Sequence, residues 1–138
     1  MNELLRRKAA TEKTLSRYRH KAFDWSCGVT CVHLARAQMK AMGHTPPTMP
    51  RFRSAFAARQ AMTERGWNTV AEMLDSMLPR IAPARMLLGD LAVAQSDDGM
   101  GSIMICAGPF KLMGWREDAA ELVMLDVTLD ELVGAWRL

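Results

Sequence analysis

The sequence predicts an α+β domain, with helices first and a small C-terminal antiparallel β-sheet second. Two observations carry this. Up to about residue 78 the apolar residues recur at helical spacing, with hydroxyl or amide residues before the periodic stretches and Gly or Pro after them. From Arg85 onward the apolar runs become short and are separated by Gly-Asp, Asp-Asp-Gly and Gly-Pro turns, the pattern of strands and hairpins.

In chain order, Asn2 or Thr11 starts a first helix reaching about His20, with a thin apolar stripe of Leu4, Leu5, Ala9, Leu15 and Tyr18. Such a stripe suits a basic arm (residues 1–20) that docks on a partner rather than on its own core, leaving residues 21–138 as the domain proper. Ala22 to Thr30 is a turn, and Thr30 caps a helix opening at Cys31. Cys31, Leu34, Ala35, Gln38, Met39 and Met42 share one face of it, and Gly43 ends it. His44 to Pro50 holds three prolines and is a loop. Arg51 to Arg65 reads as a helix with Phe52, Phe56, Arg59/Gln60 and Thr63 along one side, and Gly66 stops it. Asn68 or Thr69 caps a fourth helix through Leu78, stopped by Pro79. Strands are expected at Leu91–Ala94, Ser102–Ala107, Phe110–Arg116 and Leu122–Val127, the last two joined around Glu117-Asp118. The second is apolar on both faces and so central. Thr128 caps a last helical turn through Leu132, and Ala135-Trp136-Arg137-Leu138 closes the chain.

With 138 residues, nearly half of them apolar, the chain is about one domain with a real core. No apolar run is long enough to span a membrane, and the polar, basic N-terminus does not read as a secretory signal. Charge is asymmetric: residues 1–21 carry +5, residues 22–59 +4 and residues 60–138 −6, for +3 overall. No nucleic-acid motif accompanies the basic half, so it reads as solvated helix faces and nucleic-acid binding is not expected. Three cysteines, Cys27, Cys31 and Cys106, argue against a disulfide framework and fit a reducing compartment. With His20, His33 and His44 they match no standard zinc spacing, so neither a metal nor a cofactor is expected.

The chemistry-bearing stretch is Phe23-Asp-Trp-Ser-Cys-Gly-Val-Thr-Cys31. A cysteine in the first turn of a helix meets unpaired N–H groups and the positive end of the dipole, which favours a thiolate. Cys31 is therefore the candidate nucleophile. A nucleophile also needs a base. His33, two residues on, points about 200° round the helix from Cys31. His44 lies on the order of 20 Å away by helical rise, and nothing fixes His20. Asp90 reads as turn chemistry, and Trp25, Trp67, Trp115 and Trp136 as core or interface anchors.

Four pieces in this order resemble the papain-like NlpC-type cysteine hydrolases, in particular a divergent branch associated with phage and prophage tails. They are Phe23, Trp25, Cys31 and Gly43; Gly89-Asp90-Leu91; Ser102 to Gly108; and Ala135-Trp136-Arg137. The likeness runs from about Arg19 to the end and implies a papain-like fold with Cys31 as nucleophile. It also implies a catalytic histidine near the start of the Ser102 strand, where this chain has Gly101, Ser102, Ile103 and Met104. Ser26 replaces the expected glycine and Thr30 the expected aspartate, and no histidine follows His44.

The resemblance thus implies a scaffold that has lost its base: a structural or assembly component of a phage or prophage tail tip (baseplate or hub region). It would be found in the virion, or in the host cytoplasm during assembly. Its partners would be other tail or hub proteins, and possibly peptidoglycan. Arg6, Arg7, Lys8, Arg17, Arg19 and Trp25 would form the interaction surface. The alternative is an active peptidoglycan amidase or endopeptidase used in cell-wall penetration, with the base from His20 or another chain.

Overall fold

The computed structural model describes residues 2–49, 51–116, 120–125 and 127–138. Helix α1 (Glu3–Tyr18) begins where the Asn2 side chain accepts from the Leu5 N–H. Helix α2 (Cys31–Ala41) is capped by Thr30, α3 (Ala55–Glu64) by Ser54 and α4 (Val70–Asp75) by Thr69. In each case the hydroxyl accepts from the N–H three residues on. After α2 the His44 N–H returns to the Met39 carbonyl with Gly43 at φ +90°, a C-terminal reversal that favours glycine.

Strands β1 (Arg80–Ile81), β2 (Leu91–Ala94), β3 (Ser102–Gly108), β4 (Lys111–Gly114), β5 (Val123–Leu125) and β6 (Leu132–Trp136) form one antiparallel sheet in the order β1-β6-β2-β3-β4-β5. Strand β3 lies inside the sheet, and its Ile103–Cys106 run is buried on both faces, as its composition predicts. Helix α2 packs across β3 and α4 against β6. The main core joins Leu34, Ala35 and Met39 of α2 to Leu91, Val93, Ile103, Ile105 and Trp136 of the sheet. A smaller cluster, Ala92, Met104, Cys106 and Leu112, fills the other face.

Several expectations are corrected. Helix α1 is no free arm: Arg7, Ala10, Thr11, Thr14 and Tyr18 are buried, and it packs along α2. Its stripe looked thin because the buried positions are small or polar and are satisfied across the interface. Arg7 is 4% exposed and donates to Asp90 Oδ1 (2.9 Å), while Gln38 of α2 donates to Thr11 Oγ1 (3.1 Å).

The third helix starts at Ala55, not Arg51, because Ser54 takes the cap position. It buries Ala58 and Met62, and Phe56 stands 78% exposed. Phe52 is buried, but from the loop before the helix. The fourth helix ends at Asp75 rather than Leu78.

The stretch that closes the chain is strand β6, seated between β1 and β2, with Trp136 fully buried and its indole N–H on Asp75 (2.9 Å). Only Leu129–Glu131 makes the expected last helical turn, as a single 3₁₀ turn. The Glu117-Asp118 connection lies outside the described residues.

Candidate functional site

Asp90 ties the termini to the sheet. It is fully buried and accepts four hydrogen bonds: Arg7 Nη1 (2.9 Å), Arg137 Nε (2.9 Å), and the N–H groups of Leu87 (2.8 Å) and Leu138 (3.0 Å). The Leu87 bond is the local turn chemistry expected from the sequence; the two guanidinium bonds make Asp90 a tertiary tie as well. Arg7 also donates to the carbonyls of Leu88 and Leu138. A buried carboxylate stands only when paired and hydrogen-bonded, and this one is both. At Gly89, φ is +93° and an added Cβ would lie 2.8 Å from Thr11 Oγ1, so α1 closes directly onto this turn.

A groove of about 730 Å³ opens beside the start of α2. One wall is aromatic: Phe23 meets Trp25 edge-on (5.5 Å between centroids) and Trp115 (5.8 Å), and Trp115 is anchored by its indole N–H on the Lys21 carbonyl (2.9 Å). The facing rim is the β2–β3 turn, Gln95 to Asp98. Burial works against the Asp98 charge. Hydrogen bonds from the Ser96 hydroxyl and the Met100 N–H (3.0 Å), with Arg59 nearby, outweigh it and hold the carboxyl below its usual range. Between the walls lie Cys31, Val32, Val70, Met100, Gly101, Ser102 and Met104.

The fold thus places Cys31 and Ser102, 71 positions apart, on one groove. The expected thiolate is not favoured. Burial pushes the Cys31 thiol above its ordinary range, the Ile103 N–H pulls the other way, and the Asp98 charge adds to the rise. The helix-start effect is real but small beside the cost of charging a sulfur that is only 9% exposed.

No histidine is among the described residues lining the groove. His20 is exposed and faces Glu121 (3.4 Å). The His33 ring lies tilted against Phe52 (5.4 Å between centroids), its Nδ1 is 2.7 Å from Thr30 Oγ1, and it lines a different cavity from the Cys31 groove. Gly101 could not carry a base: with φ +93°, a Cβ there would come within 2.9 Å of Val93 Cγ1 and 3.1 Å of Val70 Cγ2. Ser102 pairs with Ala94 and alternates with Ile103, so its side chain belongs to the other face of the sheet from Cys31.

Of the six expected interaction residues, Trp25 lines the groove, and Lys8, Arg17 and Arg19 are exposed on or just after α1. Arg7 is buried and unavailable to a partner. Arg6 is committed to Glu3 (2.7 and 3.0 Å) and the Met42 carbonyl (3.1 Å). The sequence reading did not group Phe23 and Trp115 into one wall, nor bring Asp98 to Cys31. The alternation of Phe23 and Trp25 around Asp24 was the available signal for the wall.

Among the described residues no group of three or more His, Cys, Asp or Glu is placed to hold a metal ion, and no helix is long and apolar enough to cross a membrane. Comparison with curated proteins finds no match. The model of a domain of unknown function, DUF6950, matches residues 4–138, so the chain belongs to the DUF6950 family.

Proposed function

We propose that this protein is a structural or assembly component of a phage or prophage tail tip, a binding module on a degenerate papain-like scaffold that no longer hydrolyses. The carrying observation is a cysteine at a helix start with no base beside it. Cys31 opens α2, which packs across the central strand β3, and there the likeness to the NlpC-type group implies a nucleophile and its base. Here the strand residues on the Cys31 face are Gly101 and Ile103, neither of them a base, and the thiol is pushed toward its neutral form. The tail assignment rests on the order of Phe23, Trp25, Cys31, Gly43, Gly89-Asp90 and Ala135-Trp136-Arg137, which is similar to tail-associated members of the NlpC-type group.

On this reading the groove holds rather than cuts. The Phe23–Trp25–Trp115 wall suits an apolar peptide segment or a sugar face, including a peptidoglycan strand. Lys8, Arg17 and Arg19 supply exposed positive charge for a neighbouring hub protein. The test is genetic and physical together. Deletion of the gene should stop tail completion, Cys31→Ala should restore it, and the protein should be found in purified tails or tail intermediates. Absence from both, or failure of a folded Cys31→Ala protein to restore assembly, would overturn the proposal.

A further inference from the structure

We infer that a second cavity, separate from the groove, binds a phosphate group. It has a volume of about 280 Å³ and is lined by Cys27, Gly28, His33, Arg51 and Arg53, together with Phe52 and Ser26. Its polar lining is rich in donors and includes no carboxylate. The nearest acid on the same turn, Asp24, is occupied by the Ser26 N–H (2.9 Å) and hydroxyl (2.7 Å).

The imidazole is aimed by its neighbour. Thr30 is fully buried, and its Oγ1 accepts from the His33 N–H (3.4 Å) and lies 2.7 Å from His33 Nδ1. The hydroxyl hydrogen has no other acceptor among the described residues, so it is donated to Nδ1. The ring proton then sits on Nε2, at the Gly28 side of the cavity, where a Cβ on Gly28 would come 3.5 Å from it. Nε2–H is therefore a fixed donor toward the cavity.

Arg51 and Arg53 are exposed and make no hydrogen bond or ion pair among the described residues, so both guanidinium groups are available. Two guanidinium charges on one concave surface favour a dianion over a monoanion. Guanidinium forks match the oxygens of a phosphate in two-point hydrogen bonds. The open volume leaves room for the small molecule that carries it. The site uses none of the groove residues and does not depend on the tail assignment.

The test is NMR titration of the full-length protein with inorganic phosphate, then phenyl phosphate, at fixed ionic strength, following the His33 ring and the Cys27 and Gly28 amides. Saturable shifts are expected at these groups, with acetate at least ~10-fold weaker because it carries one charge and two oxygens. The double variant Arg51→Ala/Arg53→Ala should weaken phosphate by ~10-fold or more, whereas Lys8→Ala/Arg19→Ala should not. Non-saturating shifts, equal affinity for acetate, or equal losses in the two double variants would overturn the assignment. So would a single-stranded oligonucleotide that binds more tightly than phenyl phosphate and responds equally to both double variants. Circular dichroism of each variant distinguishes lost binding from lost folding.

Discussion

The Arg7 guanidinium donates to Asp90 at 2.9 Å across 83 positions of sequence, with both side chains out of water. This pair, completed by Arg137, holds helix α1 to the turn before β2. Asp90→Asn keeps the shape but leaves two guanidinium groups facing a neutral amide. It should cost about 3–5 kcal/mol, the range for breaking a buried ion pair from one side. Arg137→Met should cost less, about 1 kcal/mol, because that side chain is one-third exposed. Urea unfolding of the three proteins measures both; equal losses in the two variants would show that burial does not set the energetics here.

The thiols should separate by reactivity. Cys27 is exposed, whereas burial raises the Cys31 and Cys106 thiols. Iodoacetamide at pH 7 should label Cys27 first, with Cys31 slower by a factor of ~10 or more and accelerating only as the pH passes the ordinary thiol range. Peptide mass spectrometry resolves the sites. Labelling of Cys31 ahead of Cys27 at neutral pH would mean an activated nucleophile.

Gly101 should be intolerant of any side chain. Its φ of +93° and the 2.9 Å approach to Val93 Cγ1 predict a loss of about 1–3 kcal/mol for Gly101→Ala, with distortion where the β2–β3 turn meets Cys31. Thermal unfolding checks it; an unchanged melting temperature would argue against the close fit of α4 on this turn.

Stability should also carry a signature of His33. Burial first, then the charges of Arg36 and Arg17, depress its folded-state pKa below the ordinary value near 6.5. Below that value the unfolded chain binds the proton more readily than the folded one. The His33 contribution is therefore complete above about pH 6.5 and is lost as pH falls through the depressed folded value. Urea midpoints between pH 5 and 8 should show a shallower acid loss for His33→Gln than for the wild type. Parallel curves would remove His33 from the balance.

How much of this was legible in the sequence depended on whether the signal was local. Thr30, Cys31, Leu34, Gln38 and Gly43 are close in sequence and describe α2 by themselves, and the doubly buried β3 announces itself in Ile103 to Cys106. Strand β6 did not, because Thr128 and Glu131 do form a capping box and the strand begins directly at the end of that turn. The burial of α1 was hidden because its interface is built from Arg7, Thr11 and Thr14, residues that look solvent-facing until Asp90 and Gln38 arrive from elsewhere in the chain. Of the groove, the helix-start position of Cys31 was readable. The Phe23–Trp115 contact and the approach of Asp98 are products of the fold alone.

The central claim is that the Cys31 groove binds without cutting. The most direct measurement is incubation of the purified protein with peptidoglycan fragments, with products resolved by liquid chromatography and mass spectrometry beside a Cys31→Ala control. The account predicts identical, uncleaved fragments from both proteins. Cleaved peptide or amide products from the wild type that disappear in Cys31→Ala would contradict it and establish a working nucleophile.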